Sequence, residues 1–174
     1  MTFFIASIVA QLIFTNMEFS FNYNKSKVIQ ALRLHFVALR EIKWMMVLVN
    51  VFVIFSAILL YLKKIRPEPF LLGALIWLIV LLSVWYIMPY SVYKKSETFK
   101  DKFTAWVNET TFRIENETGY VTWDWSQFST FFESTHFFHL YFNKKSFFLL
   151  PKDDITDDLR HELRALLNEK LKRR

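Results

Sequence analysis

The segments 44–62, WMMVLVNVFVIFSAILLYL, and 70–88, FLLGALIWLIVLLSVWYIM, each run 19 residues without a charged side chain. At about 1.5 Å rise per residue, a helix of that length reaches about 28 Å, close to the roughly 30 Å hydrocarbon core of a bilayer. Both segments are apolar on every face, so as core helices they would need a far larger protein to wrap them. They predict two transmembrane helices. The seven residues between them, Lys63-Lys64-Ile65-Arg66-Pro67-Glu68-Pro69, carry two prolines that stop helix continuation, and the pair reads as a helical hairpin.

Working outward, Trp44 and Tyr61 flank the first segment, and Trp85, Tyr86 and Tyr90 close the second, where interfacial aromatic anchors belong. Asn50, Ser56, Gly73 and Ser83 are the polar or small interruptions, of the kind that commonly face another helix. Neither segment contains an ionisable group, which argues against ion-coupled transport by this hairpin alone. Basic residues set the orientation. Lys25, Lys27, Arg33, Arg40 and Lys43 precede the hairpin, Lys94, Lys95, Lys100 and Lys102 follow it, and Lys63, Lys64 and Arg66 lie in its loop. The excess outside the loop predicts both termini in the cytoplasm.

Charge and composition exclude several classes. Of 174 residues, 53% are hydrophobic and 22% charged, a balance that excludes intrinsic disorder, and the length excludes a large multidomain enzyme. The absence of cysteine removes disulfides, thiolate metal sites and cysteine nucleophiles. Residues 1–98 hold 10 basic and 4 acidic side chains and residues 99–174 hold 12 of each, so the net charge of +6 lies in the membrane-proximal half. Anionic lipid headgroups are its expected counterpart, and nucleic acid is not.

At the N-terminus, the run 3–14, FFIASIVAQLIF, is too short to span and has no positive flank like a signal peptide's, leaving open whether translation starts at Met1 or Met17; residues 1–17 form an uncertain apolar segment. Residues 18–23, EFSFNY, alternate like a strand, and 25–43 place Val28, Leu32, Phe36 and Leu39 at helical spacing. That amphipathic helix either lies on the membrane surface or packs on the cytoplasmic domain. Residues 18–43 thus form a strand and helix leading to the first span.

From residue 97 to 174 short strands follow one another: FTAWVNE, TTFRIEN, GYVTWDWSQFSTFFES, HFFHLYF and SFFLL, with polar breaks at Glu117-Thr118-Gly119 and Asn143-Lys144-Lys145-Ser146. In HFFHLYF, Phe138, Leu140 and Phe142 share one face and Phe137, His139 and Tyr141 the other, and both faces are apolar enough to be covered. A final helix supplies one cover. Thr156 stands at its N-cap, Asp157 and Asp158 suit its positive end, Leu159, Leu163, Leu166 and Leu167 make its stripe, and Lys170, Lys172, Arg173 and Arg174 complement its negative end. Since two spans return the chain to the side it left, the strand at 18–23 shares a compartment with these strands and is expected to join their sheet.

This order of parts resembles the YcxB-like family of bacterial membrane proteins. The resemblance covers residues 18–172 and is most specific at Trp125 to Phe128 in VTWDWSQF and at Leu149-Leu150-Pro151-Lys152. It implies an α+β protein of the bacterial inner (cytoplasmic) membrane, a two-helix transmembrane hairpin plus a small antiparallel, pleckstrin-homology-like (PH-like) cytoplasmic domain capped by a C-terminal helix, in a family without an assigned activity. Asp153 and Asp154 depart from the expected basic continuation after Pro-Lys, which weakens a basic ligand site there.

Catalytic signals are sparse. His136 and His139 fall on opposite faces of a strand, a poor metal geometry. The cluster Asp153, Asp154, Asp157, Asp158 lacks calcium-loop spacing and reads as helix-start charge. Asp124, between two tryptophans, turns towards solvent, and Trp123, Trp125, Phe128, Phe131 and Phe132 read as core rather than as a binding surface. The sequons at Asn108 and Asn116 have no use in a cytoplasmic domain. No phosphate loop or hydrolase motif is present. No enzyme, cofactor or metal is therefore expected. The expectation is a membrane-anchored interaction module binding a protein or anionic lipid, with Lys94, Lys95, Lys100 and Lys102 at the headgroups. The alternative is an accessory subunit of an envelope or transporter complex, packing through Asn50, Gly73 and Ser83.

Overall fold

The computed structural model describes residues 17–174. The apolar run 3–14, and with it the question of a start at Met17, lies outside the described residues. The chain divides into two compact units, one made of the segment up to Asn24 together with Thr98–Arg174, the other of Lys25–Glu97.

The first unit carries two four-stranded sheets, antiparallel in every pairing but one. β1 (Met17–Phe21) pairs with β2 (Phe103–Val107), β2 with β3 (Thr111–Asn116), and β3 with β4 (Gly119–Asp124), in the order β1-β2-β3-β4. The expected strand at 18–23 therefore joins the sheet, with Met17 opposite Val107 and Phe21 opposite Phe103, although 81 residues separate β1 from β2 in the chain. Alternation places Met17, Phe19 and Phe21, then Phe103, Ala105 and Val107, then Phe112 and Ile114 on the buried face. The β3–β4 turn is held by Asn116, whose Oδ1 accepts from the Thr118 and Gly119 amides, each at 3.1 Å; Gly119 takes φ 154°, a value that a side chain would strain.

The sequence reading of GYVTWDWSQFSTFFES as one strand is corrected. It breaks into β4, a short 3₁₀ turn at Trp125–Gln127, and β5 (Thr130–Glu133). The cause is a capping box: Asp124 accepts from the Gln127 backbone, and the Gln127 Oε1 accepts from the Asp124 amide at 3.1 Å. The turn swings Trp125 and Phe128 into the core and sends the chain to the second sheet, ordered β7-β6-β5-β8 with β6 (Phe137–Tyr141), β7 (Phe147–Pro151) and β8 (Lys172–Arg173). All five β6 residues are buried, so both of its faces are covered, as their apolar character requires.

A helix, here α5 (Asp157–Lys170), lays Leu163, Leu166 and Leu167 on the Phe131, Phe138 and Leu140 face. Thr156 occupies its N-cap with extended backbone but makes no side-chain capping bond. The basic tail does not extend the helix. Leu171 turns into the core, and Lys172 and Arg173 pair parallel with Thr130 and Phe131.

The second unit is helical, and its helices are numbered α1 to α4. The single amphipathic helix expected over 25–43 is α1 (Lys25–Ala38), which ends where Leu39 adopts φ −64°, ψ 130°, and α2 (Arg40–Tyr61) begins at once. Val28, Ala31, Leu32 and His35 are the buried residues of α1, so Phe36 and Leu39 do not complete the predicted stripe. α2 closes with Lys63 in the left-handed region, φ 57°, its amide bonding Leu60 O while that of Lys64 bonds Leu59 O, a Schellman termination built on lysine in place of glycine. α3 (Pro67–Leu82) starts with proline in its first turn, passes through a π turn at Ser83–Ile87, and continues as α4 (Met88–Lys95). Arg40–Tyr61 and Pro67–Lys95, of 22 and 29 residues, are long and apolar enough to cross a membrane; the first starts four residues before the segment 44–62 and ends one residue short of it, and the second extends beyond 70–88 at both ends.

α2 and α3 touch closely. Asn50 donates to the Met46 carbonyl at 2.6 Å and accepts from Trp77 Nε1 at 3.2 Å, and a methyl added at Gly73 would lie 3.0 Å from Phe52 Cε1. Ser83 bonds the Ile79 carbonyl of its own helix at 2.7 Å.

Candidate functional site

In the helical unit, α1 turns Lys25, Ile29 and Arg33, spaced by four, towards the end of the long α3–α4 run. The Arg33 guanidinium lies 5.4 Å from the Trp85 ring and 5.3 Å from the Tyr86 ring, and its Nε donates to the Trp85 carbonyl at 2.8 Å. Lys25 Nζ stands 5.3 Å from the Tyr90 ring and 5.9 Å from that of Tyr93. The tyrosines and tryptophan that the sequence assigned to interfacial anchoring are thus cation platforms for α1. Between them opens a pocket of about 300 Å³ lined by Ile29, Arg33, Tyr86, Ile87, Tyr90 and Ser91.

Lys94 and Lys95 lie in the last turn of α4, Lys100 and Lys102 just before β2, and all four are exposed. Of the three residues that the sequence offered to an external partner, Asn50 and Gly73 are occupied inside the hairpin, and Ser83 bonds the Ile79 carbonyl.

On the outer face of the first sheet, Arg113 is a residue that the sequence reading missed. Its guanidinium lies 4.2 Å from the Tyr120 ring and 5.5 Å from that of Trp106, and it pairs with Glu115 at 2.7 Å. Strand register accounts for this, since Arg113 stands opposite Trp106 on one side and Thr122 on the other. A shallow depression of about 440 Å³ is lined by Trp106, Asn108, Thr111, Arg113 and Thr122.

Glu133, also missed, is the most strongly engaged carboxylate among the described residues. Arg164 grips it with two bonds of 2.8 Å and Lys152 adds a third contact at 3.0 Å, tying β5 to α5 and to the end of β7. The Arg164 hydrogen bonds first, with those of Lys152 beside them, hold its pKa down to about 2 against the opposing effect of burial. Held ionised at neutral pH and gripped by two cations, it is an anchor between strand and helix. Tyr23 is a second tie, donating to the Leu149 carbonyl at 2.7 Å, with burial pushing its phenol pKa up.

Residues 107–167 match the family model for YcxB-like proteins. This part of the chain is YcxB-like. No curated protein matches the chain, and no solved structure does. The YcxB-like match runs from the last residue of β2 into α5, about a third of the chain, and is narrower than the 18–172 resemblance, leaving out β1 and both long helices. It contains Arg113 with Tyr120 but not Trp106, the Trp125 turn, and Glu133 with both of its cations.

Within the YcxB-like segment, the two motif regions have structural jobs. Trp125 Nε1 donates to the Asn108 carbonyl at 2.8 Å and its ring packs on Phe112 and Phe128. Trp125, Phe128 and Phe131 are buried, with Trp123 packed beside them, as the core reading requires, whereas Phe132 stays outside that core, half-buried with its ring 5.3 Å from that of His139, and Asp124 is exposed. Lys152 is committed to Glu133. Asp153 lies 3.6 Å from His136, and Asp154 accepts from the Asn22 amide at 3.1 Å, so neither acid is part of a helix-start cluster. His139 is fully buried, its Nε2 at 3.0 Å from Ser134 Oγ, apart from His136 near the surface.

Proposed function

We propose that the chain is an integral membrane protein whose two long helices anchor a PH-like β domain at the cytoplasmic face of a bacterial inner membrane, as a non-catalytic interaction module. The observation that carries this reading is the exposure of the helices. Of their apolar stretches only 6% and 11% is buried, whereas the core helix of a soluble protein hides most of its surface. The pairing of β1 with β2 supports an even number of spans, because the segments before and after the helical insert must share a compartment. Nine basic residues in the flanks against three in the loop support a cytoplasmic one.

The PH-like assignment is supported by the succession of strands, β1 to β4 in one sheet and β5 to β7 in the next, closed by α5 against the shared core. Lys94, Lys95, Lys100 and Lys102 are exposed and bracket the exit from the helical unit, which suits contact with anionic headgroups. The non-catalytic reading draws on Glu133, whose depressed pKa has a structural cause. The alternative of an accessory subunit would need contacts other than Asn50 and Gly73. Extraction of native membranes with alkaline carbonate tests the anchor: the chain is expected to stay in the pellet, and release into the supernatant would refute it.

A further inference from the structure

The pocket between α1 and the end of the long helix combines features that the anchoring role does not require. Arg33 spends Nε on the Trp85 carbonyl, and its orientation is fixed by two aromatic rings, which leaves the outer guanidinium nitrogens to meet a ligand. Lys25 supplies a second cation two turns away on the same face. Neither forms an ion pair with an acidic side chain of the described residues, and no acidic residue lines the pocket. The hydroxyl-bearing residues Tyr86, Tyr90 and Ser91 share the lining with the apolar Ile29 and Ile87. Ile87, Leu82 and Ile79 are exposed and continue this apolar surface along the helix.

We propose that this pocket binds one anionic phospholipid, with the phosphate at Arg33, the glycerol among the hydroxyls, and the acyl chains leaving along the exposed apolar helix. The proposal rests on the membrane reading above and deepens it. A volume of about 300 Å³ accepts a phosphoglycerol group but not the chains. The site also selects against zwitterionic lipids. The aromatic faces on which a choline or ethanolamine ammonium would sit are already taken by Lys25 and Arg33, and an added cation would be repelled there. The site is distinct from the lysines at 94–102, which offer surface charge without a pocket.

The test is native mass spectrometry of the full chain in detergent, titrated separately with phosphatidylglycerol and with phosphatidylcholine of the same acyl chains. Wild type is expected to retain one phosphatidylglycerol with about tenfold preference. Ile29→Trp, which fills the pocket while leaving Arg33 and its bond to Trp85 in place, is expected to abolish the preference, and Ser91→Tyr, approaching from the opposite wall, to do the same if the first variant loses helical circular dichroism. Lys94→Gln with Lys95→Gln should leave the single bound lipid in place. Equal retention of the two lipids, undiminished preference in the filled variants, or displacement of the lipid by inorganic phosphate would overturn the proposal. Release of the chain by carbonate would instead overturn the membrane reading, a result independent of the lipid counts.

Discussion

Arg33 donates from Nε to the carbonyl oxygen of Trp85 at 2.8 Å, and the residue four positions beyond Trp85 is Pro89, which has no N–H to offer that carbonyl. A proline inside a long helix removes one bond and crowds the preceding turn, and here the helix widens into a π turn over Ser83–Ile87, with the Met88 amide bonding Ser83 O. A side chain from another helix thus replaces a donor that the backbone lacks, which ties α1 to the long α3–α4 run.

The replacement can be measured. Arg33→Ala is expected to destabilise the helical unit by about 1–2 kcal/mol. In a Pro89→Ala background, where residue 89 regains its amide, the same change should cost less, giving a coupling of about 1 kcal/mol in a double-mutant cycle. Unfolding in mixed micelles checks it, and strictly additive losses would show the bond to be incidental.

Glu133 makes stability depend on acid. Its folded pKa of about 2 lies below the ordinary 4.5, so the stabilisation is fully present above pH 4.5 and is lost as pH falls through about 2. Glu133→Gln should lower stability by about 2 kcal/mol at neutral pH. It should also flatten the slope between those two pH values. Tryptophan fluorescence during denaturation across that range reads both effects; an unchanged slope in the variant would count against the assignment.

Gly73 is a packing position of the helical hairpin. Gly73→Leu forces a side chain into Phe52, and overpacking of this kind costs about 1–3 kcal/mol. Phe52→Ala should recover part of that loss when combined with it. Thermal denaturation in detergent of the two single variants and the double variant decides, and no recovery would place the effect elsewhere.

Lys63 carries the left-handed residue of the α2 termination at φ 57°. Lys63→Gly should stabilise the hairpin by about 1 kcal/mol, because glycine adopts that conformation without the side-chain penalty. The same denaturation assay would register a loss in place of a gain if the lysine side chain mattered more than its backbone.

Much of the architecture was legible because its signals are local. Uncharged runs marked both long helices, alternation marked β1 to β3, and a leucine stripe marked α5. The turn at Trp125 was missed: Asp124 and Gln127 stand at capping-box spacing, but the apolar residues around them gave a continuous strand reading. The break at Leu39 carries no proline or glycine. Glu133 meets Arg164 across 31 residues and Lys152 across 19, and β8 is two residues held by pairing with β5, so these depend on tertiary contact alone. The basic–aromatic junction was half visible: its tyrosines and tryptophan were recognised as anchors, but not Arg33 and Lys25 as the cations upon them.

The central claim is the topology, and the cysteine-free chain suits its measurement. Glu68→Cys, exposed at the start of α3, and Thr118→Cys, exposed in the β3–β4 turn, would each be reacted with a membrane-impermeant maleimide in intact bacterial spheroplasts. The account predicts labelling at position 68 in intact spheroplasts and at position 118 only after permeabilisation. Labelling of both positions, or of position 118 alone, before permeabilisation would contradict it.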